Sequence, residues 1–144
     1  MSARMKFGFT LIELLVVISI IGILATLIAA NLNSARSRAR DTERKSDMRS
    51  IQTALRLYYN DNLSYPAGAI PWGSIWKAAN GTVYMSTVPQ DPPASDQVYN
   101  YTVGADTDTY TLSACLENKS DTSGIANNVS GFSCPTNWIF QVSQ

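Results

Sequence analysis

The chain has 144 residues, 11 basic and 11 acidic side chains, and no histidine. That length suits one modest domain plus an anchor, and the missing histidine removes the usual general base and the commonest metal ligand. The neutral total hides two unlike parts. Seven basic residues between Arg36 and Arg56 face Asp41, Glu43 and Asp47, whereas from Leu57 onward only Lys77 and Lys119 face seven acids. A basic arm reads either as a solvated helix face or as a surface for headgroups or nucleic acid.

The first element is apolar. Residues 14–35 form a run of 22 without a charge, about 33 Å as a helix and enough to cross a bilayer core. The first proline is Pro66, so nothing earlier forces the helix to stop. A soluble core helix needs a polar face, and residues 14–30 have almost none. One reading is a secretory signal with Ala29-Ala30 as the cut site, releasing a domain that begins near Asn31. The other turns on an acid, Glu13, standing at the front of the apolar run.

The stretch KFGFTLIELLVVISIIGILA resembles the type III signal of type IV prepilins and type II secretion pseudopilins. Weaker similarity runs through ARDTERKSDMRSIQTALRLYYNDNLSYP and into VPQDP. The resemblance implies a leader of residues 1–8, cut by a prepilin peptidase between Gly8 and Phe9, and N-methylation of Phe9. It places the family's near-invariant acid at Glu13 and implies an assembly platform as a partner. Glycine at the cut removes a Cβ that would obstruct close approach of a protease.

The physics of Glu13 fits. An ionised group at bilayer depth costs several kcal/mol unless paired. Cleavage after Gly8 creates an ammonium at Phe9, four residues from Glu13 and on the same helical face. The pair can close within one subunit or between subunits, where low local dielectric strengthens it. Glu13 and Phe9 are therefore the expected assembly residues. The basic count argues the other way on orientation. Arg4 and Lys6 are outnumbered by Arg36, Arg38, Arg40, Arg44, Lys45 and Arg49, which by the positive-inside tendency puts the C-terminal part in the cytoplasm. The cysteines and the resemblance put it outside.

Residues 9–35 then form a transmembrane and assembly helix, and residues 36–64 its amphipathic second half, ending near Asn60. Met48, Ile51, Leu55 and Tyr58 recur at helical spacing, with Ala35, Ala39, Thr42 and Ser46 as a weak continuation. Asp41 and Lys45 are read as a stabilising pair four apart. Asn60-Asp61-Asn62 and Ser64-Tyr65-Pro66 give the stop. The family's frequent proline is absent, because Ala30 stands in its place.

From residue 65 to 144 a β-rich head is expected. Residues 68–81 read as an irregular loop with about one helical turn, and 83–88 as a short helix or strand. QVYNYTV, TYTLSACLE and NWIFQVS read as strands, the first two alternating and joined by a hairpin loop at 104–108. The fold class is α+β: one long helix laid across a small antiparallel sheet, as the resemblance also implies.

Cys115 and Cys134 are expected to be bridged, closing a polar loop of about 20 residues for roughly 3 kcal/mol. The resemblance makes that loop a surface for adhesion or subunit contact. No metal is assigned. The resemblance suggests calcium near the C-terminus, with Asp106, Asp108 and Asp121 as candidates, but no D-x-D-x-D-G loop is present. No cofactor and no catalytic constellation is found, so a structural protein is expected.

The reading that follows is a subunit of a type IV pilus-like filament. It self-associates through its helix, sits in the bilayer before assembly, and carries its head outside the cytoplasm. The alternative is a type II secretion pseudopilin, with a periplasmic pseudopilus. A secreted or singly anchored binding domain is the competitor from another class. Nucleic acid is disfavoured as a partner, because in a filament the 36–49 basic run lies beneath the heads.

Overall fold

The structure, a computed structural model, describes residues 8–92 and 99–144, apart from the side chains of residues 29 and 30. Residues 1–7 of the expected leader, and the first residues of QVYNYTV, lie outside the described residues. The chain divides into two compact units, Met1–Arg36 and Ser37–Gln144. One helix, α1 (Leu11–Asn62), contributes to both.

In the first unit α1 buries none of its described large apolar side chains. Phe9 is 85% exposed, and those from Leu11 to Leu32 are 43–82% exposed. The helix is long and apolar enough to cross a membrane. Three of its polar side chains turn back onto its own backbone. Ser19 Oγ donates to Leu15 O (2.7 Å), Thr26 Oγ1 to Ile23 O (2.7 Å) and Asn31 Nδ2 to Leu27 O (3.1 Å). These bonds satisfy the groups that hydrocarbon would leave stranded.

The second unit has a core. Met48, Ile51, Ala54 and Leu55 of α1 pack with Tyr65, Ile70, Trp76, Tyr84, Val88, Tyr99, Tyr110, Leu112 and Ala114. The sheet strands are β3 (Asn100–Val103), β4 (Tyr110–Cys115), β5 (Ile125–Ala126) and β6 (Trp138–Ser143). They lie in the order β3-β4-β6-β5, and every pairing is antiparallel. Tyr101 faces Leu112 and Leu112 faces Val142. A separate two-stranded sheet pairs β1 (Trp76–Lys77) with β2 (Val83–Met85), so Trp76 and Tyr84 reach the Tyr58 ring at 5.7 and 5.1 Å. The long helix on a small antiparallel sheet is the α+β arrangement expected from the sequence.

Several local expectations are corrected. The loop 68–81 holds strand β1 rather than a helical turn, because Trp76 is drawn into the aromatic cluster beside α1. The polar loop between the cysteines contains β5, which pairs along β6. In β4 not only Tyr110, Leu112 and Ala114 but also Ser113 and Cys115 are buried, so the strand lacks a solvent face at that end. The helix runs to Asn62, and Leu63 closes it in the left-handed region (φ 54°), its amide bonding Tyr59 O at 2.7 Å.

The stripe of α1 also differs from expectation. Ala35, Ala39, Thr42 and Ser46 are exposed. The helical continuation of Met48, Ile51 and Leu55 is instead Asp41 and Arg44, 1% and 0% exposed. Asp41 therefore does not pair with Lys45. It pairs with Arg44 one turn on, at 2.8 Å.

Candidate functional site

Thr10 begins α1 as its N-cap. Thr10 Oγ1 accepts the Glu13 amide at 3.3 Å, and Glu13 Oε2 accepts the Thr10 amide at 2.8 Å and its hydroxyl at 2.7 Å. This reciprocal arrangement is a capping box, which satisfies two amides that a helix start otherwise leaves without partners. The T-x-x-E spacing carries this signal, whereas the sequence reading pairs Glu13 only with the amine expected at Phe9. Phe9 and Glu13 share one open face with Ile12, Val16 and Val17. Among the described residues Glu13 Oε1 accepts no hydrogen bond. Gly8 precedes the helix, exposed, with open space where a Cβ would stand.

The second constellation lies in the Ser37–Gln144 unit, where Arg44 is the hub. Its Nε donates to Asp91 Oδ1 at 2.8 Å, and its Nη1 lies 2.8 Å from Asp41 Oδ1 and 2.9 Å from Glu117 Oε1. Asp41 also accepts the amides of Glu117 and Asn118, both at 2.9 Å. Arg40 grips Glu117 in a two-point fork, with Nε to Oε1 at 2.7 Å and Nη2 to Oε2. Lys45 pairs with Asp121 and sits 6.0 Å from the Phe140 ring centre. Three cations of one helix thus hold three separate loop positions.

Burial opposes the charge of Arg44, but Asp91, Glu117 and Asp41 outweigh it and raise its pKa. The Arg40 hydrogen bond lowers Glu117, against burial and with help from Arg44. Lys45, then the Ser123 hydroxyl and amide, hold Asp121 down to about 2. Burial raises Asp91 despite Arg44, and its Oδ2 has no partner among the described residues. Burial also raises Asp47, although the Tyr99 hydroxyl donates to it at 2.7 Å.

Cys115 and Cys134 are joined by a disulfide with Cα atoms 5.4 Å apart. The segment it closes carries Asp121, so the covalent clip and the Lys45 ion pair hold the same loop. Of the candidate calcium ligands, Asp121 is taken by Lys45, while Asp106 and Asp108 are exposed. Among the described residues no group of three His, Cys, Asp or Glu side chains is placed to hold a metal.

Comparison with known proteins places these features. Residues 3–29 match the prokaryotic N-terminal methylation motif, which defines a class of proteins carrying such an amino-terminal helix. Residues 31–131 match type II secretion system (T2SS), protein G, and the chain belongs to that family. The type II secretion system core protein G of Pseudomonas aeruginosa is 35% identical over 101 residues, covering 64% of this chain and 71% of the relative. That of Escherichia coli (strain K12) is 35% identical over 100 residues, 63% and 69% of the two chains. The Aeromonas hydrophila protein is 42% identical over 66 residues, 46% of each. No solved structure matches significantly. Between the two filament readings, these relatives favour the secretion pseudopilin over the surface pilus subunit.

Proposed function

We propose that this protein is a pseudopilin, a structural subunit of a type II secretion pseudopilus. A prepilin peptidase cuts it between Gly8 and Phe9, Phe9 is methylated, and the mature subunit polymerises through the apolar part of α1. Before assembly the helix is held in the bilayer. Afterwards it lies among the helices of neighbouring subunits in a periplasmic filament raised by an assembly platform.

The observation that carries this reading is the first unit of the chain: an apolar helix with every described large side chain exposed, opening on Glu13. A helix apolar all round needs lipid or like helices around it. In the uncut chain the cap with Thr10 occupies Glu13 Oε2. Cleavage adds a cation next to that cap, on the same helix face. The incoming amine of a neighbour's Phe9 can then be neutralised by Glu13 where water is scarce, which sets register. The disulfide supports a head outside the cytoplasm, since such bonds persist in oxidising compartments. Filament formation by packing and charge pairing asks for no catalysis, in keeping with a non-enzymatic subunit.

Intact mass and amino-terminal sequencing of the mature protein test the proposal. A start at N-methylated Phe9 is the expected result. A start at Met1, or near Asn31, contradicts it.

A further inference from the structure

Arg38, Arg49 and Arg56 are exposed and form no ion pair among the described residues. The hub consumes Arg40, Arg44 and Lys45, but not these three. Arg49 follows Arg38 by 11 residues and Arg56 follows Arg49 by seven, close to three and two full turns, so the three align along one flank of α1. The intervening Thr42 and Thr53 hydroxyls bond their own helix, to Arg38 O at 2.9 Å and Arg49 O at 3.0 Å, and bring no negative charge. Glu43, exposed on the same half of the helix, stands roughly 140° around the axis from Arg38.

The C-terminal end of α1 has the opposite sign. Asp61 is exposed in its last turn, which contains no basic residue. The β3–β4 turn is tied to that end: the Tyr65 amide donates to Thr107 O at 2.7 Å, and the Tyr59 hydroxyl to Asp108 Oδ1 at 3.4 Å. Asp106 and Asp108, both exposed, therefore stand at the same end of α1 as Asp61, where the helix dipole adds partial negative charge. Arg38 and Arg49 stand about 36 and 20 Å from the end of α1 along its axis, too far to pair with that acidic end in their own chain.

We infer that the arginine flank of α1, centred on Arg38 and Arg49, is the docking surface for the Asp61/Asp106/Asp108 end of a second copy of this chain. The two patches are complementary in sign, and Arg49 stands about 20 Å along α1 from the acidic end. Such a contact is heterologous and propagates rather than closes. It rests on the pseudopilin reading and adds to it a contact between heads that the apolar helix does not supply. Because the charges are exposed, the contact weakens as salt screens it.

The test uses the full-length chain in cells that assemble it, with polymer sheared, pelleted and quantified. Three variants are compared: Arg38→Glu with Arg49→Glu, Asp106→Lys with Asp108→Lys, and all four together. Each half-reversal is expected to lower polymer at least tenfold while the disulfide-bonded head still resists protease. The fourfold variant is expected to recover most of the loss. In a separate chain, Arg49→Cys with Asp108→Cys is expected to give a ladder of cross-linked multimers on non-reducing gels. Half-reversals that leave polymer within twofold of the unaltered chain, or a fourfold variant no better than either half, overturn the inference while the pseudopilin reading stands. If the arginine pair instead governs pelleting with phosphatidylglycerol vesicles and polymer is unchanged, the surface belongs to lipid and the inference is overturned. An unaltered chain that is neither cut after Gly8 nor polymerised overturns the reading beneath it.

Discussion

A Cβ added at Gly124 would stand 2.1 Å from Nε1 of Trp138, and that indole donates to Asp121 O at 3.1 Å. Only a residue without a side chain lets the disulfide-closed loop approach β6 so closely. Gly124→Ala is expected to cost about 1–3 kcal/mol, as overpacking does, and to shift tryptophan emission as the ring moves. Equilibrium denaturation followed by fluorescence measures both. Asp121 itself carries a pH signature. Its folded pKa of about 2 lies below the ordinary 3.8, so the folded state binds its proton less tightly than the unfolded chain does. Its stabilisation is full above about pH 4 and is lost as pH falls toward 2. Asp47 and Asp91, raised by burial, run the other way: their ionisation opposes folding, and that opposition fades on acidification. Asp121→Asn is therefore expected to melt earlier at neutral pH and to flatten the dependence of Tm on pH between about 4 and 2. A parallel slope in both proteins would refute the assignment. Glu13 shows what a single residue discloses in sequence: its spacing from Phe9 gave the shared face, but the Thr10 cap needed the helix start to be located.

The elements were legible where period and burial coincide. Met48, Ile51 and Leu55 announce the helix stripe, and alternating Tyr110, Leu112 and Ala114 announce β4. They were illegible where strands are two residues long. Neither Trp76–Lys77 nor Ile125–Ala126 can display a period, and each exists because a partner strand is already in place. The hub was missed for another reason. Asp41 and Arg44 continue the stripe of Met48, Ile51 and Leu55 in register, yet charged residues in a helical pattern are normally read as its solvated side. Their burial depends on Asp91 and on Glu117, 47 and 73 residues after Arg44 in the sequence, and no local pattern reveals that. Arg44→Met is expected to destabilise the head by about 3–5 kcal/mol, since it leaves the buried Asp41 and Asp91 carboxylates without a cation, while Glu117 keeps Arg40. Urea denaturation at neutral pH measures it. A loss below about 1 kcal/mol would mean that the hub is dispensable.

At the scale of the molecule, one chain serves two environments. The Ser37–Gln144 unit buries its own core and closes it with ion pairs and a disulfide. The Met1–Arg36 unit leaves its described large apolar side chains uncovered, as the proposed function requires. On the proposed function such a chain is expected: a polymer built from helices needs apolar surface that no single copy covers. The neutral sum of charges concealed the arrangement that matters most. The basic arm is half spent inside the head, on Glu117, Asp91, Asp41 and Asp121, and half displayed as an exposed flank.

On the proposed function, the negative group at the start of the apolar helix is retained to meet the amine released by cleavage. The most direct measurement is filament yield from Glu13→Ala in cells where processing and membrane insertion are monitored together. The expected variant is cut after Gly8 and extracted only by detergent, yet produces little or no sheared polymer. Polymer at the level of the unaltered protein would contradict it.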